Sequence, residues 1–269
     1  MNFKKKSSTV VATVFHKISF DNIKFFFKSL EKQDNTDFDV LVYNDGIKEL
    51  YKYIKSKLNI KIIDCFGSIN ENRINMINYC KKKKYKNIVF IDSDDYVDKK
   101  RISTAKKYLT QNNIVINDLH LINAKNKTIK KNFFSYRIEN KSLITINDIL
   151  DKNFIGMSNS SARIKIFKKL KLKKLTNAPI FDWALWFSVL RKSNGIFTNE
   201  TNTYYKPSTP NNLTTLLKRR ANLRSKKLIK KKQLNFLNVK EKKLSNKILN
   251  TNIKKSFKNN MFWWEENIN

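Results

Sequence analysis

Three aspartates within four residues, Asp92, Asp94 and Asp95, terminate the apolar run Ile88-Val89-Phe90-Ile91. Gathering carboxylates this closely costs repulsion and desolvation unless a cation or hydrogen-bond donors compensate. A divalent ion would take one or two of their oxygens and complete its shell with phosphate oxygens and water. His16, His120, Cys65 and Cys80 are the only histidines and cysteines, too few for a zinc cluster or a disulfide framework. The expected ion is therefore a hard one, Mg2+ or Mn2+. The competing reading is an acidic turn in which Asp94 or Asp95 caps the next helix.

A second apolar run, Val40-Leu41-Val42-Tyr43, ends in Asn44-Asp45-Gly46. Asn44 and Asp45 offer hydrogen bonds to a base or ribose, and Gly46 permits positive φ or close approach. Taken alone, the same residues make an ordinary Asn-Asp-Gly turn.

For either cluster to do chemistry, the fold must bring both to one edge. Apolar runs at Val10–Phe15, Val40–Tyr43, Ile60–Phe66 and Ile88–Ile91 alternate with helically spaced segments. In Asp21–Lys32, for example, Ile23, Phe26, Phe27 and Leu30 recur at three- and four-residue steps, with Asp21 as the expected N-cap. This rhythm predicts an α/β fold, a mostly parallel central sheet flanked by helices. Ligands bind such sheets at the carboxyl ends of the strands, where both polar clusters fall. Ile114–Asn123 reads as a further strand, Thr145–Lys152 as a short helix, Ser160–Phe167 as a return to the sheet and Phe181–Arg191 as an amphipathic helix.

Together these features resemble family 2 glycosyltransferases of the GT-A fold over roughly residues 8 to 212. That family follows its second strand with an Asp-Asp-Gly-Ser-like turn, here Asn44-Asp45-Gly46-Ile47. An Ala-Arg-Asn helix segment comes next, here Asn72-Arg73-Ile74-Asn75, and then an Asp-X-Asp-Asp strand exit, matched in full by Asp92-Ser93-Asp94-Asp95. The resemblance implies that Asp45 reads the base with Asn44 and Arg73 beside the nucleotide, that Asp92 contacts the ribose, and that Asp94, with Asp92, holds the metal. A later acidic pair opening a helix corresponds to Phe181-Asp182-Trp183, which keeps one acid and makes Asp182 the implied general base. An N-cap aspartate is the alternative reading of Asp182, and Trp183 and Trp186 are either core or sugar-stacking. The last family element, Tyr-Arg-X-His-like, reads Tyr204-Tyr205-Lys206-Pro207. Lys206 keeps a charge for diphosphate, while the missing histidine leaves the ion to lean on diphosphate and water.

The implied activity is inverting transfer of a sugar from a nucleoside-diphosphate sugar to a saccharide or lipid-linked acceptor, in surface polysaccharide or lipopolysaccharide synthesis. A nucleotidyltransferase would share the sheet and acidic site, but Thr13-Val14-Phe15-His16-Lys17 lacks a Gly-rich phosphate loop. A nucleic-acid-binding protein would use the net charge of +34, yet the acids cluster where nucleic acid would be repelled. Abundant Lys, Asn and Ile with scarce Gly and Pro also fit a coding bias toward A and T, which raises solvated lysine without any partner.

Residues 213–269 form the expected second unit, a basic helical extension holding 16 Lys/Arg against three acids and ending in Phe262-Trp263-Trp264. A Leu-faced basic helix suits an anionic membrane surface, and equally a helix packed back on the catalytic domain. Lys4-Lys5-Lys6 and the apolar run after it lack a cleavage site and read as strand rather than signal. The expected location is cytoplasmic, peripheral on the inner face of the membrane.

Overall fold

The computed structural model describes residues 3–16, 18–207 and 223–238. Ten strands form one sheet: β1 (Thr9–His16), β2 (Asp39–Asp45), β3 (Ile60–Asp64), β4 (Asn87–Phe90), β5 (Tyr96–Val97), β6 (Ile114–Ile122), β7 (Thr128–Lys130), β8 (Leu143–Ile144), β9 (Ser160–Arg163) and β10 (Gly195–Tyr205). The order is β3-β2-β1-β4-β9-β6-β10-β5, with β7 on β6 and β8 on β10. β3, β2, β1 and β4 run parallel, as do β6 and β10, while β9 is inserted antiparallel to both β4 and β6. The chain leaves β1 toward β2 on one side and returns to β4 on the other. Strand order therefore reverses at β1, and the crevice beyond its carboxyl end is where such sheets take ligands.

The helices are α1 (Phe20–Glu31), α2 (Leu50–Tyr53), α3 (Ile69–Lys82), α4 (Arg101–Leu109), α5 (Phe181–Leu190) and α6 (Leu223–Phe236). Alternate residues of β1 serve opposite faces, as a period of two requires. Val10, Ala12 and Val14 join the cluster holding α3 and α5, while Val11 and Phe15 pack with Ile23, Phe26, Phe27 and Leu30 of α1. Ser19 rather than Asp21 caps α1, its hydroxyl accepting the Asn22 N–H, and Asp21 lies in the first turn, where its charge suits the helix dipole. α3 opens with a complete capping box of Ser68 and Glu71.

α5 is not the amphipathic helix expected: it is apolar on every side but for Asp182 and Ser188, which are half-buried, and its other eight residues are buried. Trp183 and Trp186 are both 0% exposed, which settles both as core. Trp183 Nε1 donates to Ile149 O at 2.8 Å. The amino edge of the sheet is tied by Asp39, fully buried and accepting from Lys6 N, Ser7 N, Asn59 Nδ2 and Tyr85 Oη. The opposite edge is left for the site.

The expected helix at Thr145–Lys152 is one 3-10 turn, Ile146–Ile149, and only Ser160–Arg163 of the segment after it is strand. Most of the extension, including Trp263 and Trp264, lies outside the described residues. Its described helix, α6, packs Leu234 on the core, and Leu237 follows it there. Among the described residues no helix is long and apolar enough to cross a membrane.

Candidate active site

β1, β2 and β4 end at the crevice. Ile91 N–H still donates to Ala12 O at 3.4 Å, so the acidic run begins one residue past the last rung between β4 and β1. Asp92 N–H then donates to Ser158 Oγ at 3.2 Å, and Asp95 N–H to Asp92 O at 3.1 Å, folding the run into a turn. Asp95 is 1% exposed, with Oδ1 accepting the Lys206 N–H at 3.1 Å. Burial, then the carboxylates of Asp94 and Asp92, raise the Asp95 carboxyl well above its ordinary range. The capping alternative has no helix to serve: the N-cap of α4 is Lys100, and Asp98 accepts its N–H.

α3 supplies Arg73. Its Nη2 lies 3.1 Å from Asp92 Oδ1, and its guanidinium stands 5.7 Å from the centre of the Phe181 ring. Thr13, Val14, Arg73, Met76, Asp92 and Met157 line a narrow cleft here. Thr13 Oγ1 in this cleft and both amide atoms of the neighbouring α3 residue Asn72 are buried without a partner among the described residues.

Asp182 sits in the first turn of α5 but is not its cap. The N-cap is Ile180, which has no side-chain bond to offer, and Asp182 Oδ1 accepts the adjacent Trp183 N–H at 2.8 Å. Its carboxyl keeps some accessible surface, yet burial pushes it up to about 6. Asp92 adds to the rise, and the Arg73 charge and the Trp183 N–H oppose it. Asp182, Arg73 and Asp92 thus share one electrostatic neighbourhood on three separate elements.

Sequence reasoning missed the loop that floors this neighbourhood, Gly156-Met157-Ser158-Asn159. Asn159 Oδ1 accepts the Gly156 N–H at 2.7 Å, and Ser158 is the partner of Asp92 N. A Cβ at Gly156 would lie 3.7 Å from Asp182 Oδ2, an ordinary van der Waals contact, so the loop lies directly against the carboxylate. The available signal was a glycine in a chain with only four, shortly before the return to the sheet.

Across β1, Asp45 closes β2 with Oδ2 2.6 Å from His16 Nδ1, a partner the sequence did not single out. Asn44 is buried: Nδ2 donates to Ile47 O at 2.9 Å and Asp64 Oδ1 at 2.7 Å, and Oδ1 accepts the Ile47 N–H. Its amide shapes the turn in which Gly46 takes φ +84°. Lys206 is 5% exposed, with Nζ donating to Asn22 Oδ1 at 2.6 Å. Burial lowers its ammonium pKa, against the opposing pull of Asp94 and Asp95. The crevice therefore gathers Asp92, Asp94, Asp95, Arg73, Asp182 and Lys206, with Asp45 and His16 one strand away.

Among the described residues no group of three or more His, Cys, Asp or Glu is arranged to hold an ion. Asp92 and Asp94 still load Asp95 with repulsion that a cation would relieve. This donor set fits Mg2+ or Mn2+ bound through one or two carboxylates with ligand and water oxygens, not an all-protein cage.

The profile of the family described as "Glycosyl transferase family 2" matches residues 9–171, more than half of the chain. No curated protein matches it. Among solved structures, TarS 1-349 of S. aureus superposes with a TM-score of 0.57 at 19% identity, over 74% of this chain and 60% of that one. Its complex with UDP-GlcNAc gives 0.58 at 16% identity, over 82% and 65%. GalNAc-T7 with UDP, GalNAc and Mn2+ gives 0.52 at 11%, over 76% and 44%. At these identities the likeness is one of fold, and the fold is GT-A. The chain spans about 60% of the length of TarS 1-349.

Proposed function

The chain belongs to glycosyl transferase family 2, and from that premise we propose that it moves a sugar from a nucleoside-diphosphate sugar to an acceptor hydroxyl with inversion. The observation that carries this reading is Asp182, a partly enclosed carboxyl with pKa about 6 beside Arg73 and Asp92 in the crevice. An acid raised that far is still ionised near neutrality, and it is a stronger base than an ordinary carboxylate. Asp182 takes the proton of the acceptor hydroxyl as that oxygen bonds to the anomeric carbon. The bond from that carbon to the diphosphate oxygen breaks on the opposite face, and the nucleoside diphosphate leaves with the electron pair. No covalent enzyme intermediate is involved.

On the donor side, Asp45, held by His16, reads the base from the turn that Asn44 fixes, and Asp92, oriented by Arg73, takes the ribose. Lys206 lies beside Asp94 and Asp95, where it meets the diphosphate. Asp94, with Asp92, would hold Mg2+ or Mn2+, whose charge stabilises the departing diphosphate. The neighbours solved with UDP and UDP-GlcNAc support uridine nucleotides as the first donors to try.

A thermal-shift panel tests this. Uridine, guanosine, cytidine and adenosine diphosphates with Mn2+ are compared with a single-stranded oligonucleotide at low and high salt. One nucleoside diphosphate at about 100 times its Kd raises stability by about 2.7 kcal/mol. A shift from the oligonucleotide alone, erased by salt, would return the chain to the nucleic-acid class.

The acceptor in this reading is a saccharide or lipid-linked saccharide of surface polysaccharide synthesis. The extension, with 16 Lys/Arg against three acids over residues 213–269, attaches to anionic membrane. Each basic residue near such a surface contributes about 1 kcal/mol. Full-length protein should therefore sediment with phosphatidylserine vesicles at low ionic strength and be released by salt. Protein left in the supernatant at low salt would make the charge compositional only.

A further inference from the structure

The last described helix, α6, contacts the segment that enters α5. α6 sets Leu234, and the turn after it Leu237, against the core cluster that holds α5, and Gln233 is 0% exposed. Gln233 Oε1 accepts the Ile180 N–H at 2.8 Å. Ile180 is the N-cap of α5, two residues before Asp182.

Helix starts of this kind need help. In a capping box the third helical residue is Glu or Gln and reaches back to the N-cap N–H, as Glu71 does for Ser68 in α3. In α5 that position is Trp183, whose indole points into the core toward Ile149 O. Gln233 supplies from another helix the acceptor that α5 lacks. From α3, Asn70 Nδ2 donates to Thr176 O at 2.9 Å and Ala178 O at 3.1 Å, tying the segment that enters α5. Two carboxamides from two helices thus fix the backbone leading to Asp182.

The burial of Gln233 has a cost, because its Nε2 is enclosed without a partner among the described residues. An apolar side chain of the same volume would fill the space without that penalty. What an apolar replacement cannot supply is the acceptor for Ile180.

We infer that Gln233 is a positioning residue for Asp182, and that α6, although it lies in the basic extension, belongs to the catalytic unit. This rests on the reading of Asp182 as the base. Loss of the anchor lets the first turn of α5 shift against the crevice, while the donor contacts on β1, β2 and β4 stay in place. Misplacement of a catalytic group by about 1 Å costs on the order of 10²-fold in rate.

The test uses full-length protein carrying Gln233→Met, which keeps the volume and removes the acceptor, and Gln233→Glu, which keeps an acceptor oxygen. Nucleoside diphosphate release is followed with the nucleotide sugar that the wild type turns over best. Gln233→Met should lower kcat by roughly 10- to 100-fold with KM for that sugar essentially unchanged, and Gln233→Glu should restore most of it. Hydrogen exchange gives a readout independent of turnover: amides 180–184 should exchange faster in Gln233→Met, with β1 and β4 unaltered. Wild-type kcat in folded Gln233→Met, or unchanged exchange at those amides, overturns the inference. If Gln233→Met does not fold, Gln233→Glu decides: restored kcat supports the role, and a folded Gln233→Glu as slow as Asp182→Asn contradicts it. If the wild type turns over no donor, the reading of Asp182 fails instead, and the exchange data still show whether Gln233 holds α5.

Discussion

Asp182→Asn is expected to lose transfer by on the order of 10²- to 10⁴-fold, the range for a positioned acid or base, while donor affinity is retained. The same substitution should leave the protein more stable. Burial raises the Asp182 carboxyl from 3.8 to about 6, so between those values the folded state holds a proton that the unfolded chain has released. Stability therefore falls as pH rises through that window, and above it the ionised carboxylate costs on the order of 1–3 kcal/mol. An amide of the same shape removes this cost. Urea denaturation at pH 7.5 should show a higher midpoint for Asp182→Asn, and at pH 4 the gain should be largely gone. Wild-type kcat/KM should fall as pH drops through about 6, because the base is then protonated. A structural role would give the opposite signature: lowered stability with turnover intact.

On the proposed reading, Asp94→Ala should remove metal-dependent nucleotide binding without unfolding the chain. Asp94 is the second-largest cause of the raised Asp95 carboxyl, after burial, so its removal relieves repulsion inside the turn. The turn is held by the Asp92, Asp95 and Lys206 N–H groups, which donate to Ser158 Oγ, Asp92 O and Asp95 Oδ1. Outer-shell partners of a bound metal cost roughly 10- to 100-fold in affinity when lost, and a direct ligand costs no less. Titration calorimetry with uridine diphosphate and Mn2+ should show that loss, and chelator should bring the wild type to the variant's level. Equal Mn2+-dependent affinity in both proteins would remove Asp94 from the site.

The parts of this fold legible in the sequence are those specified locally. The continuous burial of β1 on both faces and the period-3.6 burial of α1 are written in Val10–Phe15 and Ile23–Leu30, and the carboxyl-edge position of Asp45 and Asp92 follows from the strand–helix rhythm. What escaped depends on partners distant in the chain. β9 is four residues long, and nothing in Ser160–Arg163 says that it will lie between β4 and β6. The irregular segment before Ser142 is organised by Asp118, fully buried, whose carboxylate accepts the N–H groups of Phe134 and Ser135 from 16 and 17 residues away. No periodicity encodes such a contact. The same holds for Gly156 against Asp182 and for Gln233 against Ile180, which a reading of the extension as a charged appendage passes over. The local rule also erred once where two caps compete: Asp21 and Ser19 both suit an N-terminus, and Ser19 takes it.

The central claim is that this crevice performs glycosyl transfer with Asp182 as base. The most direct measurement is release of nucleoside diphosphate from a panel of nucleotide sugars with Mn2+, in the presence and absence of a saccharide acceptor mixture, by wild type and Asp182→Asn side by side. The account predicts that one donor is turned over by the wild type, faster with acceptor, and that Asp182→Asn binds this donor equally well but releases product at least about 10²-fold more slowly. Equal release by the two proteins, or tight donor binding with no transfer by the wild type to any acceptor, would contradict it.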